Sequence, residues 1–401
     1  MERLTATEWL KRLVGTPSVE PTQTKDASVA GEERMGRVFA EAMEGMGYEV
    51  EWQWVAPGRP NVLAKGGAKD GKIWLLESHM DTVGTEGMTC DPFAAEVREG
   101  RLHGRGASDC KGGMAAALAA LSRVDLAEVA ARGEQIWFLG AMGEETGNNG
   151  ARASLPLLPD RLWRTIVLEP TEGVVVHASK GIAAIAVELV GRSAHGSNPA
   201  QGVNAIYAAG EFARRLLALA ASEGERYGNE LVGKPSVNVG MVSGGIAPNV
   251  VAPRCRVEFD WRVAPPERIG DVKEKIAAVL DGMKSEGWCL GWEMEQFQNN
   301  DALDTPGDSG LVRELAAACR ASGLAGKTGG VRWCCDASVF CPRSEETVIF
   351  GPGSIKQGHA SDEWIDVVEL ERAGEALALL LGGKMAGGLA TGDGRLGGGV
   401  N

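Results

Sequence analysis

The stretch KIWLLESHMDTVG, residues 72–84, joins an apolar strand to polar residues at its end. Residues 72–77 are predicted to form a strand, and their apolar middle is typical of a central strand covered on both faces. His79 and Asp81 follow, and residues i and i+2 of an extended chain point the same way. His79 could therefore bind a metal while Asp81 accepts the hydrogen of its other ring nitrogen. A strand-end histidine beside a surface aspartate is the simpler alternative.

Strands and helices alternate on both sides of this stretch. The alternation predicts an α/β fold with a central mixed sheet flanked by helices. The further predicted strands are residues 49–55, 61–65, 135–141, 165–168 and 347–350, and the predicted helices are residues 6–13, 31–46, 114–121, 309–321 and 368–381.

The pattern changes near Lys180. Residues 183–190 alternate like a half-exposed strand and open a β-α-β-β-α-β order, which is ferredoxin-like. We therefore predict an inserted α+β domain at residues 180–297, within a discontinuous catalytic domain of residues 1–179 and 298–381. The glycine-rich residues 382–401 are predicted to be a disordered tail. The elements predicted in the insertion are a helix at residues 204–221, strands at 236–242 and 254–262, a helix at 267–285 and a strand at 289–296.

Charge and composition exclude several classes of partner. A formal net charge of −13 argues against nucleic acid and anionic membranes. No apolar run reaches the ~18 residues of a membrane span, and the N-terminal residues lack a signal-peptide core. Eight cysteines in 401 residues are too sparse for a disulfide scaffold. We expect reduced thiols in a cytoplasmic protein.

Four further segments place polar side chains near the ends of predicted strands, where open α/β sheets gather ligands. Asp109, in GRGASDCKGGMAA, could bridge two cations or merely cap the following helix. The adjacent carboxylates of Glu144 and Glu145 repel each other, which is tolerated where one binds a cation and the other handles a proton. A solvated acidic loop is the alternative. Glu169 follows a strand, and His359 precedes the last helix.

Together the five segments supply two histidines and three carboxylates as metal ligands. Mixed nitrogen and oxygen ligands with an open position are what catalytic zinc requires. Two ions ~3.5–4 Å apart suit a hydrolase that activates water. The sequence therefore predicts a two-zinc site that takes its ligands from His79, Asp109, one of Glu144 and Glu145, Glu169 and His359.

The motifs SHMDTVG, GRGASDCKGG, GEETG, EPT and GHASDEW occur in an order that resembles a family of dizinc hydrolases. The family includes acetylornithine deacetylase, succinyl-diaminopimelate desuccinylase and glutamate carboxypeptidase, and the resemblance covers roughly residues 5–381. It implies that Glu144 is the general base, that cobalt can replace zinc, and that the Asp109–Cys110 peptide bond is cis. It also implies one zinc on His79, Asp109 and Glu169, and a second on Asp109, Glu145 and His359.

The resemblance further implies that residues 180–297 form a dimerisation and lid domain. His195 would reach the partner subunit's site in a homodimer, and Asn249 and Arg262 would bind substrate. Without the resemblance, His195 is a surface histidine, Asn249 an ordinary turn residue, and Arg262 a strand residue paired with a neighbouring carboxylate. The segment GGVRWCCDASVF departs from the family pattern, so no role is assigned to Arg332, Cys334 or Cys335.

Within the family, the sequences EPT and GPGSIKQGHASDEW most resemble those of acetylornithine deacetylases, so an N-acyl-L-amino acid is the favoured substrate. A carboxypeptidase or dipeptidase acting on short peptides with the same machinery is the alternative. A non-catalytic binding protein would be expected to lack Glu144 or a ligand, and both are retained. A cysteine hydrolase would use Cys110 or Cys335 and would resist chelators.

Overall fold

The computed structural model describes residues 3–383, which form two compact units. The first unit comprises residues 3–175, 306–328 and 343–383, and the second comprises residues 176–305 and 329–342. Apart from its first two residues, the predicted tail of residues 382–401 lies outside the described part of the chain.

The described elements follow one another along the chain as sixteen strands and ten α-helices. The helices are α1 Ala6–Val14, α2 Glu33–Gly45, α3 Lys111–Leu121, α4 Leu126–Ala131, α5 Asn149–Ser154, α6 Ala205–Arg226, α7 Ile269–Ser285, α8 Gly310–Ala321, α9 Ala337–Phe340 and α10 Val367–Leu381. The strands are β1 Glu49–Ala56, β2 Arg59–Gly67, β3 Lys72–His79, β4 Glu96–Arg98, β5 Arg101–His103, β6 Glu134–Ala141, β7 Leu162–Val167, β8 Val175–Ser179, β9 Ile182–Val190, β10 Ser236–Gly244, β11 Arg254–Arg262, β12 Gly291–Asn300, β13 Leu303–Asp304, β14 Thr328–Val331, β15 Ser344–Ile349 and β16 Trp364–Asp366.

The first unit is built on a mixed sheet with the strand order β1-β2-β6-β3-β7-β15. Strand β3 pairs in parallel with β6 and β7, and β15 pairs in parallel with β7. Strands β1 and β2 join antiparallel at one side. Helices α2, α3, α4 and α8 pack against the sheet, which confirms the predicted α/β class. The parallel strands end at one edge, where the polar segments follow.

Helix α3 is the most deeply buried helix of this unit. All eleven of its residues are buried, and it packs against α1, α10 and β3. Even Lys111 is enclosed, and its Nζ donates to the carbonyl oxygens of Leu13 and Thr16 at 3.1 and 2.9 Å. Because the helix begins immediately after Asp109 and Cys110, its packing anchors the backbone of that segment.

The second unit contains an antiparallel four-stranded sheet with the order β10-β11-β9-β12. In chain order this is a β-α-β-β-α-β unit with α6 and α7 packed on the sheet, as the ferredoxin-like prediction required. Its core includes the buried side chains of Phe212 and Trp261.

The second unit is larger than the predicted insertion of residues 180–297. It begins at Val176 and also takes in residues 298–305 and 329–342, which the sequence assigned to the catalytic domain. The reason is strand pairing, because β13 and β14 both pair with β8. Within residues 3–383, every helix is too short or too polar to span a lipid bilayer.

Candidate metal centre

The polar segments meet because three parallel strands end side by side. Strand β3 ends at His79, and the register pairs His79 with Ala141 at the end of β6. On its other side, β3 pairs with β7, and Glu169 follows β7 by two residues. Histidine and glutamate side chains from different parts of the chain are therefore delivered to one edge of the sheet.

The five residues predicted as ligands lie in one cluster around Asp109. His79 Nε2 is 3.1 Å from Asp109 Oδ1 and 3.9 Å from Glu169 Oε2. His359 Nε2 is 3.7 Å from Asp109 Oδ2 and 3.0 Å from Glu145 Oε2. Each oxygen of the Asp109 carboxylate thus lies nearest a different histidine, which is the arrangement that a bridging ligand requires.

The spacing and chemistry of these donors fit divalent metal ions. Ligand atoms bound ~2.0–2.2 Å from a tetrahedral zinc lie roughly 3.3–3.6 Å from one another, close to the separations in the cluster. One atom each from His79, Asp109 and Glu145 lie within 4.8 Å of one another, as do one each from His79, Cys110 and Glu169. Imidazole nitrogen and carboxylate oxygen are common zinc ligands.

Cys110 is one of the two cysteines considered as a catalytic nucleophile, but its surroundings do not suit that role. The residue is 1% exposed, and its Sγ lies 3.1 Å from Ser78 Oγ. Burial raises the pKa of the Cys110 thiol well above its ordinary value, so the reactive thiolate is disfavoured. Cys335 is also buried. Neither cysteine has the setting of a catalytic nucleophile.

Asp81 supports the cluster in a way that the sequence only partly predicted. The Nδ1 of His79 lies 3.0 Å from the backbone carbonyl oxygen of Asp81 and 3.5 Å from its carboxylate, so the carbonyl is the closer acceptor. The Asp81 carboxylate instead accepts the backbone N–H groups of Glu144 and Glu145, both at 3.1 Å. Asp81 therefore orients the turn that carries both glutamates.

Two further contacts, unrecognised in the sequence, hold the same turn. Asn148 Nδ2 donates to Glu144 Oε1 at 3.1 Å and so restricts the carboxylate of the predicted base. Arg59 forms ion pairs with the buried Glu20 and Glu32 at 2.8 and 2.5 Å. Its Nη2 lies only 3.3 Å from where a Cβ on Gly143 would be. The start of the turn at Gly143 therefore lies beside a charged network.

The electrostatics of the cluster favour cations. Burial opposes the charged form of His79, but its hydrogen bonds to the carboxylates of Asp109 and Asp81 outweigh burial and raise the pKa of His79. The hydrogen bond from His359 to Glu145 raises the pKa of His359. Both imidazoles therefore experience a negative potential, which also attracts metal ions.

The loops that carry Asp109 and His359 are in close contact. The Asp109–Cys110 peptide bond is cis, as predicted. A Cβ placed on Gly358 would lie 2.6 Å from Asp109 Oδ2, so only glycine fits directly beside this carboxylate.

Gly358→Ala is therefore expected to weaken zinc binding by at least ~10-fold, the lower end of the effects seen when groups supporting a metal ligand are lost. The added methyl group must displace the Asp109 carboxylate or the His359 loop. Competition titration of zinc against a chromogenic chelator measures the change. Gly210→Ala is the matched control, because a Cβ there meets nothing within 4 Å. Equal zinc affinity in the two variants would contradict this packing argument.

The remaining predicted residues lie in the second unit. His195 is exposed, and its Nδ1 lies 2.7 Å from Ser197 Oγ. Asn249 lies beside it, since its carbonyl oxygen accepts the N–H of Gly196 at 2.7 Å. Arg262 is paired with Asp260 at 2.9 Å, the neighbouring carboxylate considered as the alternative.

The fold and this cluster define a metal-dependent hydrolase of amide bonds. Residues 75–382 match the family model for Peptidase family M20/M25/M40, and the chain belongs to this family.

Three known proteins illustrate the similarity. Acetylornithine deacetylase of Proteus mirabilis (strain HI4320) is 31% identical over 387 residues, which cover 93% of this chain and 95% of that protein. A tripeptidase from Staphylococcus aureus has a similar structure, with a TM-score of 0.71, 23% identity and coverage of 95% of this chain and 98% of that chain. An M20 family metallo-carboxypeptidase from Sulfolobus solfataricus gives a TM-score of 0.69 at 17% identity, covering 94% and 98%. The two structures establish the shared fold.

Proposed function

We propose that the protein deacylates an N-acyl-L-amino acid by hydrolysing its amide bond at a two-zinc centre. The observation that carries the proposal is the cluster that two histidines and two glutamates form around Asp109, with Glu144 next to Glu145 in the chain. The similarity to acetylornithine deacetylase over nearly the whole of both chains supports an acyl amino acid as the substrate class.

The distances support a division of the ligands into two sets that share Asp109. His79, Asp109 and Glu169 would hold one zinc, and Asp109, Glu145 and His359 the other. Cobalt would bind the same nitrogen and oxygen donors. When bound, the metal ions supply Lewis acidity and lower the pKa of the attacking water to ~7.

Glu144 is proposed to take the proton from the attacking water and return it to the leaving amine. Its backbone is held by Asp81 and its carboxylate by Asn148, so the base is aimed by two separate contacts. Arg262 is proposed to bind the substrate's free carboxylate, and Asn249 is proposed to take part in substrate binding. Asp260 engages the Nε and Nη2 of Arg262, and a guanidinium has five N–H donors, so further donors serve a second carboxylate.

A homodimer is proposed from the edge of the second unit's sheet. Strand β10 lies at that edge, and Met241 and Val242 on it are 62% and 57% exposed. Ile246, just beyond the strand, is 73% exposed. An apolar edge strand is a template for pairing with another chain. An isologous pairing of two copies would cover this edge and place the second unit of each subunit against the second unit of its partner.

His195→Ala is expected to lower turnover by ~10²–10³-fold with little change in zinc content, because His195 is proposed to stabilise the oxyanion at the partner's site. Mixing His195→Ala with Glu144→Gln should partly restore activity, since each heterodimer would contain one site with both residues intact. Subunit exchange is checked separately by differential tagging. Exchange without any return of activity would refute the cross-subunit role.

A peptidase acting on short peptides is the second candidate, because the same centre can cleave either amide bond. A panel of N-acetyl amino acids and dipeptides, assayed with the zinc-loaded protein, distinguishes the two. Deacylation well above dipeptide cleavage is expected, and the reverse order would favour a dipeptidase or carboxypeptidase.

We place the reaction in the cytoplasm, since no disulfide joins the eight cysteines, all of which lie within residues 3–383.

A further inference from the structure

Glu363 organises the loop that carries Asp109, although it is not a proposed ligand. Its side chain is completely buried. Oε1 accepts the backbone N–H groups of Ser108 and Asp109 at 2.9 and 3.0 Å. Oε2 accepts the N–H of Gly106 at 2.9 Å and Arg105 Nη1 at 2.8 Å. All four donors belong to one five-residue loop, which therefore wraps around a single carboxylate.

The same carboxylate connects two distant parts of the chain. Glu363 follows His359 by four residues, and it lies 254 residues from Asp109 in sequence. The N–H of Gly104 also donates to the backbone oxygen of Glu363 at 3.1 Å, so main chain and side chain both tie these loops together. The contacts of Glu363 with residues 104–109 form a junction between the two loops. The relative position of Asp109 and His359 depends on this junction.

Burying the charges of this junction costs free energy, because the charged groups lose their contact with water. The Glu363 carboxylate and the Arg105 guanidinium are both buried and lie 2.8 Å apart. A buried ion pair stabilises a fold no better, as a rule, than well-packed apolar side chains of the same volume. A role in local geometry accounts for this carboxylate better than a role in overall stability.

We propose that Glu363 is a positioning residue that sets the Asp109 carboxylate between His79 and His359, and thereby the metal affinity of the centre. This inference rests on the proposed function, because Asp109 must be a metal ligand for its position to matter. Three of the four hydrogen bonds described for the Glu363 carboxylate come from backbone N–H groups of the loop, so Glu363 acts through the backbone of the loop.

The test is Glu363→Gln, which preserves size but turns one acceptor into an NH₂ group facing N–H donors. Zinc affinity is expected to fall ~10–100-fold, the range for groups that orient metal ligands. Competition titration with a chelator gives the affinity, and the visible spectrum of the cobalt-loaded protein reports the altered ligand geometry. Glu363→Asp keeps the charge, so its affinity should lie between those of Glu363→Gln and the wild type.

Glu346→Gln is the matched control. Glu346 accepts the N–H groups of Gly310 and Leu311 at 2.8 and 2.9 Å, and Arg164 Nε at 2.9 Å. It therefore makes the same kind of contacts, but it holds the start of α8 instead of a ligand loop. Both glutamine variants should lower the melting temperature, whereas only Glu363→Gln should change zinc affinity and the cobalt spectrum.

Zinc affinity in Glu363→Gln equal to that of the wild type, or lowered equally in the two glutamine variants, would overturn the inference. If Glu363→Gln does not fold, Glu363→Asp carries the same comparison against Glu346→Asp. A wild-type chain that takes up no zinc would overturn the proposed centre and this inference together. Zinc uptake by the wild type with no loss in the Glu363 variants would overturn this inference alone.

Discussion

Removing the metal is expected to abolish amide hydrolysis, and adding zinc back is expected to restore it. Without the metal, the attacking water keeps the high pKa of bulk water, and neither Glu144 nor the histidines can make it a strong nucleophile near neutral pH. The carboxylates of Asp109, Glu145 and Glu169 would also repel one another once no cation lies between them. The melting temperature should therefore fall together with activity.

The measurement is dialysis against a chelator, followed by elemental analysis, activity assay and thermal melting of the same sample. About two zinc ions per chain are expected in the active protein. Titrating zinc back should restore activity in proportion to occupancy, whereas magnesium, which prefers oxygen ligands, serves as the negative control. Full activity in protein that contains no transition metal would disprove the proposed centre.

The adjacent substitutions Glu144→Gln and Glu145→Gln are expected to separate catalysis from metal binding. Glu144→Gln should lower turnover by ~10²–10⁴-fold, the usual value of general acid–base catalysis, while zinc content stays unchanged. Glu145→Gln should lower zinc occupancy instead, because Glu145 lies 3.0 Å from His359 Nε2 among the proposed ligands. Its activity should recover partly when zinc is supplied in excess.

Each of these two variants serves as a control for the effect of the other on the shape of the turn. Both residues donate their backbone N–H to the Asp81 carboxylate at 3.1 Å, and neither substitution alters that contact. Effects on the shape of the turn should therefore be similar, so differences report the side chains. The opposite result, with zinc lost in Glu144→Gln and turnover lost in Glu145→Gln, would reverse the two assignments.

The strands that build the catalytic sheet could be predicted because burial leaves a local signature. The strand predicted at residues 72–77 is β3, Lys72–His79, and the one predicted at residues 165–168 is β7, Leu162–Val167. A strand covered on both faces needs a continuous apolar run, and such runs are visible without any tertiary information.

The start of α3 could not be predicted in the same way. The predicted helix begins at residue 114, whereas α3 begins at Lys111 and includes Gly112 and Gly113. Glycine disfavours helices, so local propensity argues for a later start. Packing decides otherwise, because a Cβ on Gly112 would lie 2.6 Å from the Ala107 oxygen, and one on Gly113 would lie 2.7 Å from the Leu168 oxygen.

The sequence by itself determined which side chains could form the centre, because imidazoles and carboxylates at strand ends are recognisable from residue type and position. Only the tertiary structure decided how they are held. The Asp81 carboxylate accepts the backbone N–H groups of Glu144 and Glu145, Arg59 lies beside Gly143, and the Glu363 carboxylate accepts the N–H groups of the Asp109 loop. These contacts join residues tens to hundreds of positions apart, and the geometry of a hydrogen bond leaves no periodic trace in the chain. The acceptor that a buried N–H finds is settled only when the elements pack.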